Sequence, residues 1–254
     1  MPTRKTTPEG RRSFLKQGAF GAVGALTLPF AATPARPTFL PASLNLVFQG
    51  DSITDAGRNR AQYYANQAGG MGHGYVHYVV THLMGRYPET RWRCYNRGVS
   101  GDKVHQLAAR WEEDCIQLQP DVLSILVGVN DFWHTLTHGY QGDVNRYEND
   151  YRTLLTQTRA RFPEVKLLIG EPFAVPGGTA IDERWYPEFN AYRFAAKKLA
   201  EEFDAVFIPY QSLFDGALRQ APASYWCPDG VHPSLAGCYL MAEAWLKGFF
   251  SIME

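Results

Sequence analysis

The sequence predicts an α/β fold, a three-layer α/β/α sandwich whose central sheet is mainly parallel and has five strands. The first observation is a series of apolar runs of strand length, at residues 44–48, 92–95, 122–127, 165–169 and 205–208. The second is that helix-like stretches, most with apolar residues at three- and four-residue spacing, separate these runs. Strands that are apolar on both faces and alternate with helices are typical of a parallel sheet covered on both sides.

The predicted helices cover residues 75–84, 104–118, 144–162, 187–203 and 235–250. With 254 residues, of which 45% are hydrophobic, the chain is long enough for one domain with a sizeable core. The sequence contains no internal repeat and no domain linker. We therefore expect residues 36–254 to form a single domain with one active site.

Residues 1–35 differ in kind from the rest of the chain. Arg11 and Arg12 precede an uncharged stretch, residues 17–32, which is typical of a twin-arginine export signal. A membrane anchor or a disordered tail is the alternative, but the stretch is short and glycine-rich for a spanning helix, which needs about 20 apolar residues. We expect a periplasmic or secreted protein with no stable membrane insertion after the signal is removed.

Net charge and cysteine spacing limit the classes of partner and cofactor. Removing residues 1–35 takes away five basic residues and one acid, which changes the formal net charge from 0 to −4. This charge argues against nucleic acid as a partner. The cysteines show neither CxxC pairs nor metal-ligand spacing, so buried thiols are expected and a disulfide is left open: Cys94, Cys115, Cys227 and Cys238.

A candidate nucleophile and a candidate base lie in separate segments. Ser52 follows the first predicted strand, and ligands collect at the carboxyl ends of parallel strands. Such a serine can act as a nucleophile, with helix capping as the alternative. Asp229 and His232 stand three residues apart in a proline-flanked turn, where the carboxylate can orient the imidazole as a general base. A local turn hydrogen bond is the alternative for this pair.

Two further strand ends supply candidate oxyanion donors. Asn130 follows the third predicted strand, where its side-chain amide can donate into the cleft, and an Asx turn is the alternative. Gly98 follows the second strand, and its backbone N–H can approach a substrate closely because glycine has no side chain. Asn130 and Gly98 are therefore candidates to stabilise the charge that develops in acyl transfer.

Other side chains near these strand ends are candidates for substrate or metal contact. Aromatic residues of the cleft can stack on sugar rings, with an ordinary place in the core or rim as the alternative. His134 and His138 have the i, i+4 spacing of metal ligands but lack a third strong ligand, so neither a metal nor another cofactor is expected. The expected substrate-binding residues are Asp51, Trp133, Tyr140 and Trp226.

Assembled in chain order, these segments resemble the SGNH (GDSL) hydrolase superfamily over about residues 44–246. Four motifs carry the resemblance: Gly50-Asp51-Ser52, Asn96-Arg97-Gly98-Val99-Ser100-Gly101, Gly128-Val129-Asn130-Asp131 and Asp229-Gly230-Val231-His232-Pro233. Three stretches are also similar to the bacterial xylan acetylesterases of this superfamily: Gly74-Tyr75-Val76, Ala109-Arg110-Trp111-Glu112-Glu113-Asp114 and Asn130-Asp131-Phe132-Trp133. The resemblance implies a flavodoxin-like fold.

The resemblance also implies a role for each matching residue. Ser52 would be the nucleophile, His232 the base, and Asp229 the residue that orients and stabilises the imidazolium. The Ser52 N–H, the Gly98 N–H and the Asn130 side chain would form the oxyanion hole. The expected reaction is two-step hydrolysis of a carbohydrate ester, most simply an acetyl ester, on a small molecule or an oligosaccharide.

Several alternatives to this reading stay open. A lipid or lysophospholipid ester hydrolase is the alternative within the enzyme class. A non-catalytic carbohydrate-binding protein and a metal-dependent hydrolase that uses His134 and His138 are alternatives of other classes. The oligomeric state is also open, and a homo-oligomer is one option.

Overall fold

Five strands form one parallel sheet in the computed structural model, which describes residues 40–253. The strands are β1 Ser43–Gly50, β2 Arg91–Asn96, β3 Val122–Leu126, β4 Lys166–Gly170 and β5 Val206–Ile208. Their order across the sheet is β2-β1-β3-β4-β5, and every neighbouring pair is parallel. The predicted fold class and all five predicted strands are confirmed.

Helices occupy most of the remaining chain. Two short 3₁₀ helices lie at Ala68–Met71 and Ile116–Leu118. The α-helices of the described residues are α1 Ser52–Asp55, α2 Tyr75–Arg86, α3 Val104–Ala109, α4 Trp111–Asp114, α5 Val129–Thr137, α6 Val144–Arg161, α7 Asn190–Glu202, α8 Tyr210–Ala217, α9 Ala223–Trp226 and α10 Leu235–Ser251.

The helices divide between the two faces of the sheet. Crossovers between parallel strands are right-handed, so the step from β1 outward to β2 and the later steps in the opposite direction place their helices on opposite faces. Helix α2 packs against α10, whereas α6 packs against both α3 and α7. The result is the predicted three-layer sandwich.

Two buried tryptophans anchor the two helical layers. Trp245 of α10 donates its indole N–H to Ser124 Oγ of β3 at 2.8 Å. Trp111 of α4 donates its indole N–H to Thr158 Oγ1 of α6 at 2.9 Å. Both indoles are almost fully enclosed, so each N–H needs such a partner, while the ring itself supplies a large apolar contact area.

The strand order fixes where a ligand can bind. β1 has β2 on one side and β3 on the other, so the chain reverses its direction of travel across the sheet at the β1–β3 boundary. In sheets of this order the ligand crevice lies outside the carboxyl ends of the strands at that boundary. Ser52 follows β1 and Asn130 follows β3, so both emerge there.

Neither end of the chain belongs to the described residues. The predicted export signal, residues 1–35, lies outside the described residues. Among residues 40–253, no helix combines the length and the apolar character that crossing a bilayer requires.

Candidate active site

The turn after β1 places Ser52 at the first position of α1. Asp51 caps this short helix, because its Oδ1 accepts a hydrogen bond of 3.0 Å from the Ile53 N–H. Gly50 is required one step earlier, since a Cβ there would lie 2.3 Å from the carbonyl oxygen of Leu126 on β3. As the first residue of a helix, Ser52 has a backbone N–H with no acceptor inside that helix.

Ser52, His232 and Asp229 form a continuous chain of hydrogen bonds. His232 Nε2 lies 2.8 Å from Ser52 Oγ, and His232 Nδ1 lies 2.6 Å from Asp229 Oδ2. An ionised carboxylate can only accept, so the ring hydrogen is assigned to Nδ1 and the bare Nε2 accepts from the serine hydroxyl. In this arrangement the imidazole can take the serine proton.

Backbone groups of the same turn hold Asp229. Its Oδ1 accepts from the N–H groups of Val231 at 2.8 Å and His232 at 2.7 Å. Gly230 adopts a φ of +89°, a conformation that favours glycine, which lets the turn fold back on the carboxylate.

These contacts set the charge states of the pair. Burial acts to raise the pKa of Asp229, but the hydrogen bonds from His232 and Val231 outweigh it and lower that pKa. The hydrogen bond to Asp229 is the main cause that raises the pKa of His232, with burial opposing it. Asp229 is therefore ionised at neutral pH and stabilises the protonated imidazole.

The serine and the histidine open onto a cavity of about 480 Å³. The side chain of His232 is 44% exposed and that of Asp229 is 34% exposed, so a dissolved molecule can reach the reactive atoms. Side chains and backbone from four segments line the cavity, among them Ser52, Ile53, His73, Ser100, His232 and Leu235.

Asn130 is the second residue of α5, at the carboxyl end of β3. It is 2% exposed, and its Nδ2 donates a hydrogen bond of 3.2 Å to the Asp102 carbonyl. A primary amide has two hydrogens, so this bond leaves one for a further acceptor. The Asp102 carbonyl thus fixes the orientation of the amide.

The N–H of Gly98 is already engaged. It donates to Asn96 Oδ1 at 2.9 Å, so it can serve an oxyanion only by sharing its hydrogen with this acceptor or leaving it. A Cβ on Gly98 would lie 2.3 Å from the Asp55 backbone nitrogen. Glycine is therefore required because the loop after β2 packs against α1, which is a different reason from the substrate access that the sequence suggests.

Two charged residues that sequence reasoning missed fix this loop to α1. Asp55 Oδ2 accepts from the Ser100 N–H at 3.0 Å and from Arg60 Nη2 at 2.7 Å. Arg58 Nε donates to the Gly98 carbonyl at 2.8 Å. The position of Asp55, three residues after the serine in the same turn, is the sequence signal that could have pointed to it.

Two buried carboxyl groups belong to sequence neighbours of the oxyanion candidates: Asp51 precedes Ser52, and Asp131 follows Asn130. Asp51 is 0% exposed and Asp131 is 2% exposed, and burial raises the pKa of each to about 7. The Val104 N–H donates to Asp131 Oδ1 at 3.3 Å. The proton state of both groups is therefore sensitive to pH near neutrality, which their sequence positions do not reveal.

The structure gives two of the expected substrate-binding residues a contact within the protein. Asp51 is fully enclosed and bonded to the Ile53 N–H, so its carboxyl group shapes the serine turn. Trp226 donates its indole N–H to the Ala217 carbonyl at 3.0 Å. Among the described residues that line the cavity at Ser52, Trp226 is not found.

The two remaining substrate-binding candidates are aromatic: Trp133 lies in α5, and Tyr140 lies in the loop that follows it. The Trp133 ring is 6.4 Å from the His232 ring, measured between centroids, so Trp133 borders the reactive atoms. Tyr140 stacks on His105, with centroids 5.6 Å apart and the planes 14° from parallel. Trp133 can contact a substrate directly, whereas Tyr140 belongs to a neighbouring group of side chains.

The environment of His134 and His138 disfavours a metal ion. Their ring centroids are 4.4 Å apart, but Lys103 Nζ lies 3.0 Å from His134 Nδ1. Burial, with the charge of Lys103 next, lowers the pKa of His134 to about 4. An ammonium group at this distance repels a second cation. Within residues 40–253, no group of three His, Cys, Asp or Glu side chains is arranged to hold a metal.

Fold and site together define a class of protein. A serine, a histidine and an aspartate joined by hydrogen bonds at the carboxyl edge of a parallel sheet are the arrangement of a serine hydrolase. The sequence around the serine is not G-x-S-x-G, so this site is not the nucleophile elbow of the α/β-hydrolases.

The chain belongs to the GDSL-like lipase/acylhydrolase family, whose model matches residues 48–239. It is thus a carboxylic ester hydrolase, as the sequence motifs predict. The acetylxylan esterase of Geobacillus stearothermophilus is 37% identical over 207 residues, which cover 80% of this chain and 92% of that protein.

Solved structures confirm the superfamily and the fold. A GDSL-like protein from Parabacteroides merdae is 48% identical, with a TM-score of 0.81 over 86% of this chain and 100% of the other. The crystal structure of the Geobacillus acetylxylan esterase is 35% identical, with a TM-score of 0.72 over 81% of this chain and 93% of the other. Other structures of that esterase have a serine, an aspartate or a histidine replaced by alanine, and each of these variants is described as a catalytic mutant.

Proposed function

We propose that the protein is a serine esterase that removes acetyl groups from carbohydrates through an acyl-enzyme. The observation that carries the proposal is the hydrogen-bond chain from Asp229 through His232 to Ser52, with distances of 2.6 and 2.8 Å. The family supports ester hydrolysis, and the similarity to acetylxylan esterase supports an acetylated carbohydrate as the substrate.

In the first step, Ser52 Oγ attacks the ester carbonyl carbon while His232 Nε2 takes the hydroxyl proton. Asp229 stabilises the imidazolium that forms. The carbonyl oxygen becomes an oxyanion, which accepts from the Ser52 N–H and from the remaining amide hydrogen of Asn130. Gly98 contributes a third donor when its N–H is shared between Asn96 and the oxyanion. The sugar oxygen then leaves with the proton from His232.

In the second step, water hydrolyses the acetyl-serine. His232 Nε2 takes a proton from the water, and the oxygen attacks the acetyl carbonyl carbon. The same N–H donors hold the second oxyanion. Ser52 Oγ leaves with the proton that His232 returns, and acetic acid is released. The exposed side chain of His232 gives water access to this position.

Release of acetate from acetylated xylo-oligosaccharides tests the proposal. We expect the protein to release acetate and Ser52→Ala to lose about 10⁴-fold or more of the rate, since triad members act as a unit. Ser212→Ala removes an exposed serine on α8 and serves as the matched control with an unchanged rate. Equal rates for the protein and Ser52→Ala would contradict the proposal and favour a carbohydrate-binding protein.

A lipid or lysophospholipid ester is the second candidate, because apolar surface adjoins the cavity. Leu235 lines the cavity and is 71% exposed, and Tyr239, one helical turn further along α10, is 56% exposed. Hydrolysis of aryl esters of increasing acyl length separates the candidates. A rate that falls steeply beyond acetyl supports the carbohydrate esterase, and a rate that rises with chain length supports the lipid esterase.

We propose that the protein is exported by the twin-arginine route to the periplasm or the medium. Arg11 and Arg12, followed by the uncharged stretch 17–32, support this proposal. Cell fractionation tests it, with replacement of both arginines by lysine as the variant. We expect mature protein outside the cytoplasm and full-length variant inside it; the same distribution for both would contradict twin-arginine export.

A further inference from the structure

A group of cationic and aromatic side chains lies beside the active site and takes no part in the proposed acetyl transfer. Its members come from α3, α5, α6 and the loops before α3 and after α5. We call it the Tyr140 cluster, and it consists of Lys103, His105, His134, Tyr140 and Arg146.

Lys103 is the most enclosed member of the cluster. It is only 9% exposed, and its ammonium group lies 3.0 Å from His134 Nδ1 and 5.1 Å from the centre of the Tyr140 ring. No carboxylate of the described residues forms an ion pair with Lys103. The charge of Lys103 acts on the buried Asp131 without a direct ion pair between them. An enclosed ammonium group that lacks a direct ion pair is costly, and this favours the binding of an anionic ligand.

Arg146 adds to the positive potential around the ring, and His105 responds to it. The guanidinium carbon of Arg146 lies 5.6 Å from the centre of the Tyr140 ring, and His105 stacks on that ring. Burial lowers the pKa of His105, and the charges of Arg146 and Lys103 lower it further. Both histidines of the cluster are therefore neutral at neutral pH. The lowered pKa of His105 indicates a positive electrostatic potential around its ring.

The carboxylates around the cluster accept hydrogen bonds from other groups, although the charge of Lys103 also acts on Asp131 and opposes the larger effect of burial on the pKa of that carboxyl group. Asp102 accepts from Arg110 at 2.8 Å, and Asp131 accepts from the Val104 N–H. Asp150 approaches Arg146 only to 3.5 Å, in an exposed pair that is weakened by solvent. The positive charge of the cluster is thus only partly compensated by the protein.

The cluster is continuous with the active site. His134 lies one helical turn after Asn130 on α5, a rise of about 6 Å. Trp133, between them, is 6.4 Å from the His232 ring, and a Cβ on Gly101 would lie 3.9 Å from the His134 ring. The cluster thus lies on the α5 side of the reactive atoms, the direction in which the sugars next to an acetyl group at Ser52 would have to extend to reach it.

We propose that the Tyr140 cluster is a subsite for the carboxylate of a uronic acid in an acetylated oligosaccharide. Lys103 and Arg146 supply the charge. Tyr140 Oη and His105 Nδ1 lie 3.4 Å apart and share one hydrogen, so one of these two residues and His134 Nε2 keep a hydrogen to donate. The inference rests on the proposed function, because it places the anionic group on the same substrate chain as the acetyl ester. The protein then prefers acidic to neutral acetylated oligosaccharides.

The test compares kcat/KM for an acetylated xylo-oligosaccharide with and without a uronic acid branch. We expect a preference for the acidic substrate that lies in KM and weakens when salt is raised from about 0.05 to 0.5 M, because salt screens charges. Arg146→Gln should reduce the preference about two- to fivefold, as for an exposed ion pair. Lys103→Met should reduce it about tenfold or more, as for a charged hydrogen bond.

The controls separate the possible failures. Arg161→Gln removes the same charge from the far end of α6, about 22 Å from Arg146, and should keep the preference. Arg146 is exposed, so its variant tests the proposal even where Lys103→Met does not fold. Equal kcat/KM for both substrates, or a preference that survives Arg146→Gln, would overturn the subsite while leaving the esterase intact. Failure to hydrolyse either substrate would overturn the proposed function itself.

Discussion

Asn130 and Gly98 show how differently two candidate donors to one oxyanion are held. The amide of Asn130 is oriented by the Asp102 carbonyl and keeps a hydrogen to donate, whereas the Gly98 N–H is engaged by Asn96. Donors fixed before the reaction stabilise developing charge without reorganisation. Asn130 is therefore expected to make the larger contribution.

Asn130→Ala should lower kcat on an aryl acetate by about 10²–10³-fold, the cost of losing one oxyanion donor. The substitution also removes the single hydrogen bond to the Asp102 carbonyl, so stability should fall by only about 1 kcal/mol. Steady-state kinetics and thermal unfolding measure the two effects. An unchanged kcat would remove Asn130 from the oxyanion hole.

Asp229→Asn should change both the rate and its pH dependence. His232 must be unprotonated to act as a base, and its hydrogen bond to Asp229 raises its pKa above 6.5, so activity should be lost as the pH falls through that raised value. Without the carboxylate, the acid limb should move to lower pH and kcat should drop by about 10⁴-fold, as in other triads. A pH profile of kcat/KM checks this. An acid limb that stays in place would mean that another group titrates.

Arg110 connects several elements around the site. Its guanidinium donates to Asp102 Oδ2 at 2.8 Å, to the Arg97 carbonyl at 2.7 Å and to Gln49 Oε1 at 2.9 Å. It also pairs with Asp114 at 3.0 Å. One side chain thus links the ends of β1 and β2 to the loop that orients Asn130.

Arg110→Met should lower the free energy of unfolding by about 3 kcal/mol, because two mostly buried carboxylates lose this partner and only Asp114 keeps another, Arg97. Arg152→Met is the matched control, since Arg152 also bonds two carboxylates, Glu148 and Glu202, but lies on the surface. The control should cost less than about 1 kcal/mol. Urea unfolding measures both, and equal losses would refute the bridging role of Arg110.

The same elements show what could be predicted from the sequence. Strands β1, β3 and β4 are buried on both faces and are therefore visible as runs, whereas the edge strand β2 alternates exposed and buried residues. Helix 104–118 is interrupted at Arg110, whose φ is −117° and ψ is 13°. Helix α5 escapes prediction because Asn, Asp, His and Thr, all weak helix formers, obscure its period. The packing of its Phe132 against Trp185, Phe189 and Tyr192 overrides those local preferences.

At the site, the reactive residues can be predicted from the sequence, whereas the residues that hold them in place are harder to predict. Ser52 and the Asp229–His232 pair stand in short motifs whose chemistry is specific. The burial of Asp51 and the grouping of Lys103 with Tyr140 depend on tertiary packing between segments far apart in the chain. No local pattern carries that information.

On the scale of the whole molecule, the chain is held without covalent links in its described part. The four cysteines, all within residues 40–253, are buried and free. Burial raises the pKa of each thiol, that of Cys94 to about 12 and that of Cys238 to about 11. A protonated and enclosed thiol reacts slowly.

A thiol reagent should therefore label the protein only after unfolding. We expect no fast-reacting thiol in the native protein, four in denaturant, and the same melting temperature with and without a reducing agent. Absorbance titration and thermal unfolding provide the measurements. Fewer than four thiols in denaturant, with a melting temperature lowered by reductant, would show a disulfide in place of the free thiols.

The most direct measurement of the central claim is covalent labelling with an alkyl fluorophosphonate, which forms a stable ester with an activated serine. The segments after β1, β2 and β3 converge with the Asp229–His232 turn, and this activates the hydroxyl of Ser52. We expect one label per chain, on the peptide that contains Ser52, and loss of labelling in His232→Ala. A label on another residue, or full esterase activity in a protein that cannot be labelled, would contradict it.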